Sequence, residues 1–475
     1  MKTLPAAILI TALLLSNDLA ASAATYEVGP GRKLSAVADV PWEALQPGDT
    51  VLIHWQPEPY REKFVICRAG TQDAPITVRG VPGPDGALPM LSGDGATTPA
   101  RLKFWGGPRG VIKIGGAEIP PDTMPAYIVI ENLDISGTRK TNPYTGSDGK
   151  PAAYRKDAAA IQIEKGEHIV IRHCRLHDCG NGLFISSNDQ RASRDILVEG
   201  NYIFDNGNPR SGQEHNVYSE ADGLIFQFNR LGPMHTNSLG NNLKDRSAGL
   251  VVRYNWIEGG NKELDLVDAE DSAIIRADPR YRDSYVYGNV FLKLPGDLHA
   301  QLVHYGGDSD NASGYRKGTL HFFNNTVISY RGGVTTLFWF SSKDESCDLR
   351  ANIFYAVKPK TKFAVAQATG NFLLDQNWFF PAMVDSSLPG SAAAVAGGDT
   401  SLTGVAPQFV DLAGRDFRPA TPVPARHAGL AAGLPPVAFQ YAAPQSGEPR
   451  ADAANPGLGA YSSPRSDNSS SPSPK

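Results

Sequence analysis

The sequence predicts an all-β fold, a single-domain solenoid of stacked coils. Three observations predict it. A short motif with asparagine at its centre recurs every 25 to 36 residues, at Asn201, Asn229, Asn255, Asn289, Asn325, Asn352 and Asn377. The segments around it alternate apolar and polar residues with the period of two that belongs to strands, and nothing keeps helical period for ten residues. The 475 residues include 48 glycines and 36 prolines, which favour many turns over long helices.

Residues 1–23 read as a secretory signal peptide. Lys2 precedes an apolar run from Leu4 to Leu15, and Ala21-Ser22-Ala23 supplies small residues for cleavage. The run is too short for a comfortable membrane span, and no second apolar segment follows. The expectation is a secreted or periplasmic protein with no membrane span, beginning near Thr25. The net charge of −4 gives no sign of nucleic-acid binding, and the protein is read as a monomer. Export permits disulfides among Cys67, Cys174, Cys179 and Cys347. Cys174 and Cys179 can pair or remain buried thiols, and both readings stay open. No His and Cys spacing suits a zinc site.

Residues 24–425 form the solenoid, with an N-terminal cap and a closing segment. The coils read VEGNYI (198–203), FQFNRL (226–231), VRYNWI (252–257), VYGNVF (286–291), FFNNTV (322–327), LRANIF (349–354) and LDQNWF (374–379). Earlier, IENLDI (130–135) and IRHCRL (171–176) keep the apolar pattern, with Leu133 and Cys174 in the asparagine's place. No coil can bury its inward side chains alone, so coils stack. The asparagines occupy equivalent turns, bond up and down the stack, and tolerate the left-handed conformation. GSAAAVAGGDTS (390–401) reads as a flexible insertion, and residues 426–475 as an extended or disordered tail ending in Ser- and Pro-rich sequence.

These features resemble a right-handed parallel β-helix of the pectate-lyase-like superfamily of secreted polysaccharide-active proteins. The resemblance covers most of residues 25–425. Its opening is YEVGPGRKLSAV, then LQPGDTVLIHWQPEPYREKFVI and GTQDAPITVRGVPG, the region that caps the helix in that family. APQFVDLAGRDFRPA (406–420) resembles the closing segment.

The repeat also aligns a face. Tyr218 stands eleven residues before Asn229, and Lys244 eleven before Asn255, so the two stack on adjacent coils. With Val217 and Leu243 inward, Tyr218 and Lys244 point outward, as do Glu220 and Arg246. Phe184 joins from the preceding coil. The following run, KELDLVDAED (262–271), offers Glu263, Asp265, Asp268, Glu270 and Asp271. His215 opens the Tyr218 strand, and His304 and Trp339 lie on later strands that line the same groove. Asp245 points inward and buttresses its neighbours.

A groove along a solenoid suits an extended sugar chain. β-Elimination from a uronic acid requires that the carboxylate beside C5 be neutralised, that a base take the C5 proton, and that an acid assist the leaving oxygen. The family resemblance implies Lys244 as base, Arg246 as the ligand of the uronate carboxylate, and His215 or Tyr218 as proton donor. It implies Ca2+ held by Glu263, Asp265 and Asp268. Phe184, Glu220, His304 and Trp339 are the substrate-binding candidates. The reading is a polysaccharide lyase acting on an acidic polysaccharide. The alternatives are a C5-epimerase, which removes the same proton, a glycoside hydrolase built on two of the acids, and a polysaccharide-binding protein without catalysis. In the plainest reading, Lys244 and Arg246 are solvated strand cations.

Overall fold

The computed structural model describes residues 23–421, 433–454 and 456–462. The signal-peptide reading falls outside these apart from its last residue. Among the described residues no helix is long and apolar enough to cross a membrane.

The chain winds into a right-handed parallel β-helix with three long sheets of 13, 11 and 11 strands, every neighbour in them parallel. Right-handed crossovers are the sense in which twisted strands return to a parallel partner. Inward side chains stack in columns. In the first sheet Ile130, Ile171, Val198, Phe226, Val252, Val286, Phe322, Leu349 and Leu374 stand in register. All are buried, and each contributes roughly 1.5–3 kcal/mol of hydrophobic stabilisation.

The asparagines form a continuous buried ladder. The Asn255 side-chain oxygen accepts the backbone N–H of Asn229 at 2.9 Å, and its Nδ2 donates to Asn289 Oδ1 at 2.9 Å. The same pattern joins Asn201 to Asn229, Asn289 to Asn325, Asn325 to Asn352 and Asn352 to Asn377. The left-handed residue is not the asparagine. It is the residue before it, among them Phe228, Tyr254, Asn324, Ala351 and Gln376. Asparagine is therefore placed there by its two-way hydrogen bonding and not by its tolerance of positive φ.

The N-terminal end is capped as expected. Trp42 stacks on Phe64 with ring centres 3.8 Å apart, and Val37, Val40 and Leu45 are buried with it. A helix end closed in this way does not offer a bare sheet edge.

The C-terminal part departs from expectation in 390–401 and in 433–462, and gives the 406–420 segment its form. Within 390–401, Ala394–Gly397 is the last strand of the first sheet and not a flexible insertion. The 406–420 segment is a hairpin on the flank of the second sheet, where Phe417 stacks on Trp256 at 5.5 Å. Within 426–475, residues 433–462 include a second hairpin, Phe439–Ala442 with Ser446–Pro449. Its apolar residues are the reason it docks: Val437 packs with Tyr254 and Tyr287, and Ala460 and Tyr461 with Val290 and Ile328. All four cysteines are buried free thiols.

Candidate active site

Six consecutive strands of the third sheet carry the site: β1 (Asn181–Ile185), β2 (Val217–Ser219), β3 (Leu243–Asp245), β4 (Leu264–Leu266), β5 (Gln301–Tyr305) and β6 (Val334–Phe340). Leu183, Val217, Leu243, Leu264, Val303 and Phe338 face inward in register. The next residue on each strand therefore faces out. These form one column: Phe184, Tyr218, Lys244, Asp265, His304 and Trp339. At ~4.8 Å per strand the column is about 24 Å long.

The phenol of Tyr218 is held from two sides. Phe184 stacks on its ring at 4.8 Å and 3°, and Arg246 Nε donates to its Oη at 2.7 Å. Burial pushes the phenol above its ordinary pKa, and the Arg246 guanidinium offsets this only in part. Tyr218 therefore carries its proton at neutral pH.

Arg246 was expected to be open to a uronate carboxylate. Its side chain is instead 3% exposed and already engaged. It bonds the Asp268 carbonyl, Glu270 at 2.9 Å and Asp308 at 3.0 Å. Lys244 Nζ is paired with Asp308 and lies 3.6 Å from Asp265, its side chain 12% exposed. One carboxylate, Asp308, thus bridges both cations.

His215 Nδ1 accepts the Asn241 backbone N–H at 3.0 Å, so the neutral ring carries its proton on Nε2. Burial first, and then the nearby Lys244 charge, push its pKa down to about 3. It is a neutral hydrogen-bond donor at physiological pH.

Asp265 is buried but satisfied. Burial alone would raise its pKa, yet the His304 hydrogen bond and the Lys262 and Lys244 charges hold it well below the usual carboxylate range. His304 Nδ1 lies 2.7 Å from Asp265 Oδ1 and Nε2 2.9 Å from Ser341 Oγ. This outlines an Asp–His–Ser relay, but Ser341 is committed elsewhere. Its oxygen accepts the Gly307 N–H at 3.0 Å and lies 2.7 Å from the Gly307 carbonyl. Trp339 stacks on His304 at 4.2 Å and has Lys262 Nζ 5.1 Å from its ring centre. It is anchored by protein groups on the groove floor.

Glu220 lies two residues past Tyr218. It is buried, and its Oε1 has no hydrogen-bond partner among the described residues. Burial, reinforced by the Asp271 charge, raises its pKa to about 8.

The expected calcium ligands do not converge. Glu263 stands in register one residue before the inward Leu264, in a second buried polar ladder at the coil corner. Asn206 Nδ2 donates to Asn216 (3.0 Å), Asn216 to Asn242 (2.7 Å), and Asn242 to Glu263. Lys293 Nζ lies 3.5 Å from the Glu263 carboxylate inside the fold. Asp265 is held by His304 and Asn241. Asp268 lies 3.7 Å from Arg246 and accepts the Asp308 and Ser309 N–H groups. Among the described residues no three His, Cys, Asp or Glu side chains gather as a metal site. The donors that calcium would need are occupied by cations and N–H groups.

Asp245 faces inward as expected and pairs with Arg316 at 3.0 Å, both side chains fully buried. Sequence reasoning missed Asp308, Asn241 and Lys262. Asp308 lies 64 residues from Lys244, and its only signal was an acid directly after Gly306-Gly307.

No family model matches the chain, and no curated protein matches it in sequence. Its shape is similar to solved structures. Pectate lyase Pel9A is 13% identical with a TM-score of 0.45, covering 93% of this chain and 98% of that one. An alginate lyase from Paenibacillus sp. str. FPU-7 is 12% identical with a TM-score of 0.42, covering 80% and 99%. DFA-IIIase from Arthrobacter chlorophenolicus A6 is 10% identical with a TM-score of 0.40, covering 74% and 89%. At these scores the likenesses bear on neither reaction nor substrate.

Proposed function

We propose that the protein is a lyase that cleaves a uronic-acid-containing polysaccharide by β-elimination in the groove along the third sheet. One observation carries the reading: Lys244 and Arg246 already hold a single carboxylate between them, beside a protonated phenol. A uronate carboxylate seated there has its charge neutralised, which is what makes the C5 proton removable. Arg246 keeps the charge that neutralises the carboxylate, and Lys244, as the free amine that a base must be, is proposed to take the C5 proton. Tyr218, held in place by Arg246 and protonated because it is buried, is the proposed donor to the leaving oxygen. His215 carries its proton on Nε2, its ring centre 6.0 Å from that of Tyr218. Phe184 and Trp339 bound the column at its two ends. The calcium set does not fit, so no step runs through a metal. The signal-like segment 1–23 supports export to where such polymers are found.

The test is turnover. The mature protein is incubated with pectate, alginate and glycosaminoglycan, and ultraviolet absorbance of the unsaturated product end is followed. A rise abolished by Lys244→Ala and by Tyr218→Phe is the expected result. Turnover that survives both substitutions removes these residues from the chemistry.

Glu220 supports a second reading, a glycoside hydrolase. A buried carboxyl group that keeps its proton at pH 7 is the acid such an enzyme needs. Reducing ends without ultraviolet absorbance, lost in Glu220→Gln, would favour it.

A further inference from the structure

Asp308 stands near the start of a closed loop, 306–316. Arg316 N donates to the Gly306 carbonyl at 3.0 Å and closes its neck. The Arg316 side chain ties that neck to the coil below through Val267 O (2.9 Å) and Ser247 O (2.8 Å). Gly306 is left-handed, with φ of 128°, and a side chain at Gly307 would collide with the Tyr315 ring. The residues just past the neck are held by one buried carboxylate. Asp268 accepts the Asp308 N–H at 2.8 Å, the Ser309 N–H at 3.3 Å and the Ser309 hydroxyl. The neck is thus fixed to the core through backbone carbonyls, while Asp308 and Ser309 rest on polar contacts to Asp268. The Asp308 side chain is 29% exposed, over cations that are 12% and 3% exposed.

We propose that Asp308 is a specificity-determining residue: its carboxylate occupies the subsite of one uronate carboxylate, and only a ligand that brings its own carboxylate can displace it. The inference rests on the lyase reading. The physical argument is one of exchange. Removing Asp308 strips Lys244 of its nearer carboxylate and Arg246 of one of its two close ones, leaving Asp265 at 3.6 Å and Glu270 at 2.9 Å, and breaking a partly buried ion pair is costly. A uronate restores that charge, and a neutral sugar does not. The loop thereby rejects neutral polysaccharides by what they fail to replace, which is selection by an unfavourable alternative. The displaced Asp308 moves toward solvent, where a carboxylate is well hydrated.

The experiment uses Asp308→Asn, close in shape and without the charge. Calorimetry with the full chain measures size-defined oligogalacturonate, oligomannuronate and a neutral xylo-oligosaccharide. The expected result is binding of at least one acidic oligomer about tenfold or more tighter than wild type, because the ligand no longer competes with an internal carboxylate. The neutral oligomer, which has no carboxylate to displace in the variant, should also bind more tightly than it does to wild type. Ser309→Ala, which removes one bond holding this segment to Asp268 without touching either cation, should move affinity the same way by a smaller factor. Acidic oligomers that bind wild type, but bind Asp308→Asn equally or more weakly, overturn the proposal and make Asp308 a positioning residue for the cations. If neither protein binds an acidic oligomer, the lyase reading falls and this proposal with it. Thermal melts of both variants show whether a loss is merely unfolding.

Discussion

Replacing Asn255 by alanine removes an interior rung of the asparagine ladder. Its Oδ1 accepts the Asn229 N–H at 2.9 Å and Asn229 Nδ2 at 3.1 Å. Its Nδ2 donates to the Phe226 carbonyl, the Arg253 carbonyl and Asn289 Oδ1, each at 2.9 Å. In the variant the Asn229 backbone N–H loses its acceptor in a fully buried position, while Asn229 Nδ2 keeps the Val198 carbonyl at 2.9 Å. One orphaned buried donor costs roughly 1–3 kcal/mol, and the weakened partners add to it, so the loss should be about 2–4 kcal/mol. Asn377→Ala should cost less, because the Asn377 Nδ2 donates to one carbonyl, that of Leu349 at 2.8 Å. Urea denaturation followed by circular dichroism and tryptophan fluorescence measures both. A loss below about 1 kcal/mol for Asn255→Ala would mean that the coils are held by their apolar columns, with the amides contributing little.

Three further outcomes follow from the site. Burial raises Glu220 to about 8 from 4.5, so between those values the folded protein holds a proton that the unfolded chain has released, and stability falls as pH rises through that window. Glu220→Gln should therefore melt higher than wild type at about pH 9 and equal it near pH 4; an unchanged difference across that range would show the carboxyl to be ionised throughout. His215 behaves oppositely in sign. Its pKa is depressed to about 3 from 6.5, so its stabilising contribution is present above 6.5 and is lost as pH falls through the window, and His215→Gln should flatten the acid limb of the stability curve. Chelation should leave turnover within about twofold, because Asp265 and Asp268 are already satisfied by protein donors. A loss restored by added calcium would show that these carboxylates re-sort around a cation.

The sequence made the scaffold legible because the stack repeats one physical problem. Each coil must bury the same inward residues and close the same turn, and the asparagine positions betray that turn directly. The Tyr218–Lys244 rung was legible for the same reason, through equal distances to the next asparagine. Legibility ended where the chain left the repeat. Alternation was extended through Glu263, but that residue sits at a coil corner, where backbone direction changes and an even count no longer means outward. Arg246 was placed on the right face with Glu270 among the acids beside it, yet its partner Asp308 comes from an irregular loop, which no period predicts. The second hairpin in 433–462 was invisible because its composition is that of a loop, and only the flank of Tyr254, Tyr287 and Val290 gives its few apolar residues something to bury against.

The rungs of the ladder are not evenly spaced along the chain. Most intervals are 25 to 28 residues, but Asn255 to Asn289 takes 34 and Asn289 to Asn325 takes 36. The added length does not disturb the stack. It leaves the stack as the short helix α1 (Ala273–Ala277), just after the Arg246 partner Glu270, and as the Gly306–Arg316 loop, whose Asp308 contacts Lys244 and Arg246. Insertion and deletion are therefore absorbed where the groove is roofed, while strand register stays locked by amides on another edge. A lineage, or an engineer, can lengthen, trim or exchange those two excursions as cassettes and change which polymer is admitted without renegotiating the architecture that supports it.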